Sequence, residues 1–211
     1  IGLQNLLDSD ELSRAFRFKR SIHQSRFIVG RARLRMILAN YLDCGPKEVL
    51  FDYGPHGKPE CAVAAAQCIA FNISHTGDYA VCAIRVGSEV GVDIEACKPR
   101  EVSALAARYF HESESASMEA CADETERLAL FYHYWTAKEA LLKGAGGGLT
   151  LPLNQCRFDL RQEPPALELI NLPALTDQGW GVHHFFVAPD VIGAVAVAGR
   201  IEQVNSSLWE P

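Results

Sequence analysis

A chain of 211 residues, 48% of them hydrophobic, is long enough for one large domain or two small ones and apolar enough to bury a core, which sets disorder aside. Its formal charge of −6 is unevenly spread: residues 1–47 hold nine Lys/Arg against four Asp/Glu, a net of +5, so the remainder carries −11. No apolar run approaches the roughly 20 residues of a membrane span, no basic-then-apolar leader opens the chain, and the basic head lacks the interleaved aromatic platforms of a nucleic-acid site.

Residues 9–19 are predicted as a short helix capped by Ser9 or Asp10. Residues 22–42 form a longer one, with Phe27, Leu34, Leu38 and Tyr41 on one face and Asp43-Cys44-Gly45-Pro46 ending it. A short strand and the turn G-P-H-G-K-P-E occupy 48–60. Three consecutive strands follow, I-A-F-N-I-S, Y-A-V-C-A-I-R-V and E-V-G-V-D-I-E, joined by H-T-G-D and G-S. Pro99 marks a boundary near 97–101. Helical sequence rich in Glu and Ser covers 101–119, a long helix spans about 123–143, and G-A-G-G-G ends it. Strands are expected near 154–160, 166–170, 181–188 and 191–201, so both halves run helix, long helix, strands. The seven cysteines are odd in number and none has C-x-x-C spacing. They read as core thiols in a reducing cytoplasm, and neither as a disulfide framework nor as a zinc site.

Several clusters could carry chemistry, each with a plainer structural account beside it. In G-V-D-I-E (91–95), strand alternation turns Val92 and Ile94 to the core and puts Asp93 and Glu95 on the other face, roughly 6–7 Å apart. Carboxylates so close repel unless a cation lies between them, and oxygen-only ligands suit Mg²⁺; a solvated sheet face is the plainer account. In H-Y-W-T-A-K-E-A-L-L-K (133–143), at about 100° per residue, Glu139 falls inside the stripe of Leu128, Phe131, Trp135 and Leu142, flanked by Lys138 and Lys143. An unpaired buried carboxylate costs several kcal/mol, so Glu139 needs a partner, either Lys143 or a metal shared with Asp93 and Glu95. In F-N-I-S-H (71–75), Ser74, His75 and turn N–H groups could seat a phosphate, or His75 could be incidental. H-G-K-P (56–59) offers Gly57, Lys58 and Pro59, or is simply a turn. G-A-G-G-G follows a helix where a phosphate loop would precede one, so it is a helix stop. His183 and His184, on opposite strand faces, make a poor metal pair. The basic head suggests one local site for an anionic ligand, or else solvated helix faces.

The order H-G-K-P, F-N-I-S-H, G-V-D-I-E, W-T-A-K-E-A-L-L-K resembles the motif series of the 4′-phosphopantetheinyl transferases, in their large single-chain, surfactin-pathway form, over residues 7–160. The segment R-F-K-R-S-I-H-Q-S-R-F-I-V-G-R-A-R-L-R is similar in character to that family's basic entry helices. A departure is the start of the chain, where members carry a further strand. The resemblance implies an α+β fold of two similar halves related by pseudo-twofold symmetry, each a long helix on a small, mostly antiparallel sheet. The halves would be 1–97 and 98–211, with the active site at their interface. It implies transfer of the 4′-phosphopantetheine arm of coenzyme A to a serine of an apo acyl or peptidyl carrier protein, releasing 3′,5′-ADP. Asp93, Glu95 and Glu139 would hold Mg²⁺ (or Mn²⁺). Lys143 would face the diphosphate. Ser74, His75 and Arg26, with Arg14 or Arg17, would hold the 3′-phosphate, and Gly57, Lys58 and Pro59 would line the adenine side. Glu139 is the expected general base, in competition with pure metal ligation, and Lys138 stabilises the diphosphate or orients Glu139. The expected enzyme is a cytoplasmic monomer touching neither membrane nor nucleic acid. The Glu/Ser-rich segment 111–126 is a carrier-facing loop or a solvated helix face. The alternatives are a Mg²⁺-dependent phosphohydrolase acting on a nucleotide diphosphate and a non-catalytic coenzyme A-binding module.

Overall fold

The computed structural model describes residues 2–54, 57–62, 68–147, 152–161, 165–170, 175 and 179–209. His56 of the H-G-K-P turn and Gly148 of the glycine run lie outside them. The chain forms two compact units: Ile1–Tyr53 with Pro59–Cys68 and Asn205–Pro211, and Gly54–Lys58 with Ile69–Val204. The class is α+β, and every pair of strands among the described residues is antiparallel.

In the first unit, helix α1 (Ser9–Phe16) begins at a capping box one step ahead of the expected cap. The Asp8 carboxylate accepts from the Glu11 N–H at 2.9 Å, and the Glu11 carboxylate accepts from the Asp8 N–H at 3.0 Å. Helix α2 (Ser21–Leu42) stops at Asp43, whose φ of 50° is the left-handed conformation a short polar side chain tolerates. Strands β1 (Phe51–Tyr53) and β2 (Pro59–Cys61) pair beyond it. Arg35 is fully buried. Its guanidinium meets Asp8 at 2.7 Å and Glu11 at 2.8 Å, donates to the Val49 carbonyl at 2.7 Å, and lies over the Phe51 ring. Arg31 pairs with the same Glu11 at 3.4 Å and also covers Phe51. Two arginines of the basic head are thus spent inside the fold, where burial demands that each charge be matched.

In the second unit, strands β3 (Ile69–Thr76) and β4 (Tyr79–Val86) make a hairpin. The expected H-T-G-D connector shortens to Gly77-Asp78, with Gly77 at φ 57°, as a two-residue turn with glycine first requires. Strand β5 (Val90–Ala96) follows. The helical stretch expected over 101–119 is two helices, α3 (Ser103–Tyr109) and α4 (Glu112–Glu119), divided at buried Phe110 and at His111, whose ring caps α4. Helix α5 (Glu124–Gly144) starts on the Asp123 carboxylate. Strands β6 (Cys156–Asp159) and β7 (Ala166–Ile170) pair together. Strands β8 (Trp180–Ala188) and β9 (Val191–Ala198) complete a three-stranded sheet in the order β5-β9-β8.

Pairing fixes which residues share a face. Gly91, Asp93 and Glu95 oppose Ala196, Ala194 and Ile192, while Val90, Val92 and Ile94 oppose Val197, Val195 and Gly193. The first set faces α5: Ile192, Ala194 and Ala196 join Phe131, Ala137, Ala140 and Leu141 in one core cluster, and Gly91 lies against Ala140. Val90, Val195 and Val197 form a second cluster with Ala70 and Ala83 of the hairpin. Because the sheet is covered on both sides, Asp93 lies in the interior, where the sequence pattern had a core face and an open one. Helix α5 is likewise enclosed, with every residue from Thr136 to Leu142 buried. Its end has no single apolar stripe, so Glu139 does not interrupt one.

Candidate active site

Strand β5 and the last turns of α5 are brought together by glycines. A Cβ on Gly91 would sit 2.0 Å from the Ala140 carbonyl oxygen and 2.2 Å from the Gly144 nitrogen, so the strand rests on helix backbone. That contact delivers Glu139 and Lys143, one from each end of the turn, to the strand face carrying Asp93 and Glu95.

Lys143 Nζ lies 2.6 Å from Asp93 Oδ1 and donates to Ser74 Oγ at 3.3 Å. Ser74 Oγ donates to Asp93 Oδ1 at 3.0 Å and accepts from the Ile94 N–H at 3.2 Å. One donor and two acceptor sites are all a hydroxyl has, so Ser74 is fully used. Ser74, expected to hold the 3′-phosphate, here orients Asp93. Within this cluster of described residues, two buried carboxylate oxygens have no hydrogen-bond partner, Asp93 Oδ2 and Glu139 Oε1.

The charges press on one another. Burial, then Asp93 and Glu95, push the Glu139 carboxyl up to about 7, with Lys143 opposing. Burial and Asp93 also raise Glu95, against Lys143, Arg100 and the Trp135 indole. Arg100 is thus a neighbour of the site that sequence reasoning missed, and Trp135, read there only as part of the apolar stripe, is another.

Among the described residues, no three of His, Cys, Asp and Glu converge tightly enough to hold a metal ion by themselves. A hard cation such as Mg²⁺ asks for less, taking one or two carboxylates with phosphate and water oxygens. Two unpartnered carboxylate oxygens beside a lysine satisfy that requirement, so Asp93 and Glu139, with Glu95 alongside, fit the group.

Other expected residues stand apart. Lys138 is 0% exposed; its ammonium pairs with Glu114 at 2.8 Å and donates to the carbonyls of Leu153 and Cys156, with the Phe110 and Phe158 rings beside it. The expectation that it acts on the diphosphate or orients Glu139 is corrected: it is a buried ion pair, needed because Glu114 also accepts from the Phe158 N–H inside the core. His75 is exposed on β3, opposite in parity to Ser74, not in a turn. Gly57 has φ 78°, and its N–H donates to the Gly54 carbonyl. Lys58 Nζ donates to the Gly144 carbonyl at 3.0 Å and pairs with Glu89 at 2.8 Å, so it caps the negative end of α5. Arg14, on α1, stacks over Phe27; Arg17 follows α1 and Arg26 lies on α2, all exposed in the first unit, where Pro59 opens β2. None of the seven cysteines forms a disulfide, and no helix of the described residues is long and apolar enough to cross a membrane.

A family model described as the 4′-phosphopantetheinyl transferase superfamily matches residues 89–191, and one for the N-terminal part of 4′-phosphopantetheinyl transferases matches 2–86. The chain is 37% identical over 195 residues to the 4′-phosphopantetheinyl transferase HetI of Nostoc sp., covering 92% of this chain and 79% of that protein. A candidate 4′-phosphopantetheinyl transferase of Synechocystis sp. is 40% identical over 155 residues, covering 73% of this chain and 63% of that protein. The 4′-phosphopantetheinyl transferase Sfp of Bacillus subtilis is 31% identical over 153 residues, covering 72% and 65%. The chain therefore spans a little under two thirds of the last two and more of the first.

Proposed function

This chain belongs to the 4′-phosphopantetheinyl transferase superfamily, and we propose that it transfers the 4′-phosphopantetheine arm of coenzyme A to a serine hydroxyl of an apo carrier protein. The carrier serine oxygen bonds to the β-phosphorus of coenzyme A, the bond from that phosphorus to the bridging oxygen breaks, and 3′,5′-ADP leaves. The observation that supports this reading is the convergence of Asp93, Glu139 and Lys143, with two buried carboxylate oxygens left unpartnered.

Asp93, Glu95 and Glu139 would hold Mg²⁺, which supplies charge neutralisation on the diphosphate when bound. Glu139 would accept the proton the serine loses, a role supported by a carboxyl that burial, Asp93 and Glu95 raise to about 7 in the metal-free chain. Lys143 would supply a fixed positive charge toward the 5′-phosphate of the leaving 3′,5′-ADP, and Ser74 holds the Asp93 carboxylate in place. The assignment of His75, Arg26, Arg14 and Arg17 to the 3′-phosphate, and of Gly57, Lys58 and Pro59 to the adenine side, rests on the motif match. The two-half reading, 1–97 against 98–211, rests on the motif match; on it, β5 of the first half pairs with β9 and packs on α5 of the second. One chain then supplies both sides of the site, as a cytoplasmic monomer would need.

The test is mass spectrometry of a panel of apo carrier proteins incubated with the chain, Mg²⁺ and coenzyme A. A gain of one phosphopantetheine arm is expected. No gain on any carrier, or full activity in Glu139→Ala, refutes the reading.

A further inference from the structure

Strand β5 is the edge of its sheet: its backbone pairs with β9 on one side and with no strand on the other among the described residues. The N–H groups of Val92, Ile94 and Ala96 point to that open side. Each donates to a side chain of β3: Val92 to Asn72 Oδ1 at 3.0 Å, Ile94 to Ser74 Oγ at 3.2 Å, and Ala96 to Thr76 Oγ1 at 3.3 Å. The backbone of β3 is already committed to β4. The spacing is constant at 20 residues, so the three bonds form a parallel ladder in which one strand contributes side-chain oxygens in place of carbonyls. Polar groups here serve an account that a backbone must close, since buried N–H groups need acceptors.

The rungs bracket the carboxylates. Asp93 lies between the bonds at 92 and 94, and Glu95 between those at 94 and 96. A strand held on only one edge can roll about its axis, and a roll swings every side chain on its faces. Held on both edges, β5 keeps Asp93 Oδ2 and Glu95 aimed along the face that meets Glu139 and Lys143, within the tolerance of about 0.5 Å that a working constellation needs.

We propose that Asn72 and Thr76 are positioning residues for the metal-binding carboxylates, acting through the β5 backbone without touching coenzyme A or the cation. This rests on the proposed Mg²⁺ role of Asp93, Glu95 and Glu139. Ser74 belongs to the same ladder, but its contacts with Asp93 and Lys143 make it part of the site itself.

The experiment compares the wild-type chain with Asn72→Leu, Thr76→Val and Thr76→Ser. Thr76→Val keeps the shape and removes the acceptor, and Thr76→Ser restores it; both remain informative if Asn72→Leu does not fold. Mn²⁺ binding in the presence of coenzyme A is followed by the electron paramagnetic resonance of free Mn²⁺, beside thermal unfolding and steady-state kinetics. The expected result is at least a fivefold weaker Mn²⁺ Kd and a matching rise in the Mg²⁺ concentration for half-maximal rate. The coenzyme A KM should change less than twofold, and Thr76→Ser should return to wild type. A lower unfolding temperature with unchanged Mn²⁺ Kd would reduce the ladder to scaffolding and overturn the proposal alone. No Mn²⁺ binding by the wild-type chain would remove the metal reading and this proposal together.

Discussion

Gly91→Ala tests how the site is assembled. The added Cβ would lie 2.0 Å from the Ala140 oxygen and 2.2 Å from the Gly144 nitrogen, and both are backbone atoms of an enclosed helix. Ordinary contact begins near 3.4 Å, so strand and helix must separate by about 1.4 Å. Overpacking of this kind costs about 3 kcal/mol, the upper end of the usual range, because no flexible side chain can yield. For a unit of this size that lowers the unfolding temperature by roughly 6–12 °C. The same separation stretches the 2.6 Å contact between Lys143 and Asp93 to the limit of a salt bridge. Misplacing a catalytic group by about 1 Å costs on the order of 100-fold in rate. Circular dichroism melting and carrier modification followed by mass spectrometry measure the two effects. A variant that melts within about 2 °C of wild type and keeps its kcat/KM within about threefold would show that the glycine contact does not set the site.

Further outcomes follow from the charges. The Glu139 carboxyl, at about 7 in the folded chain against about 4.5 unfolded, contributes stability that is complete below pH 4.5 and lost as pH rises through 7. Without divalent metal the loss amounts to about 3 kcal/mol at most, and Glu139→Gln should flatten it in urea titrations between pH 4.5 and 8. Mg²⁺ favours the ionised form and should reduce the same slope in the wild type. Because Lys143 holds the Glu139 carboxyl down, Lys143→Ala should lower kcat/KM by about 100-fold or more and move the ascending limb of its pH profile to higher pH; an unmoved limb would detach Lys143 from Glu139. Lys138→Met strands Glu114 in the core and should destabilise by about 3–5 kcal/mol, while the folded fraction keeps near-wild-type kcat/KM. A large loss of kcat in fully folded Lys138→Met would restore a catalytic role.

Local pattern carried much of the fold. Alternation located β3, β4 and β5, helical period and caps located α2 and α5, and both boundaries of α5 fall within one residue of expectation. Pattern weakened where packing decides. The stretch 101–119 has continuous helical propensity, yet the core takes Phe110 and His111 caps a new helix. The arginines of α2 read as one basic surface because composition does not say which are matched; Arg31 and Arg35 find Asp8 and Glu11 only when α1 folds back on α2.

Asp93, Glu95, Glu139 and Lys143 could be grouped from sequence because chemistry restricts which residue types can share a site for phosphate and a divalent cation, and because strand and helix periods say which of them share a face; the structure brings these side chains near one another. Lys138 was not legible in this way. It adjoins Glu139 in sequence, but one residue turns a helix by about 100°, and on a helix buried all round that angle separates a ligand cleft from an apolar core. Asn72 read only as part of a strand and Thr76 fell in the expected H-T-G-D connector, so neither was legible as an acceptor for a strand twenty residues on. The sequence by itself determined the elements, their order and the chemical character of the site, since these depend on neighbours within a few positions. Only the tertiary structure decided which polar groups are consumed in holding the fold and which oxygens are left for a ligand, because each buried group is matched by partners brought from distant parts of the chain.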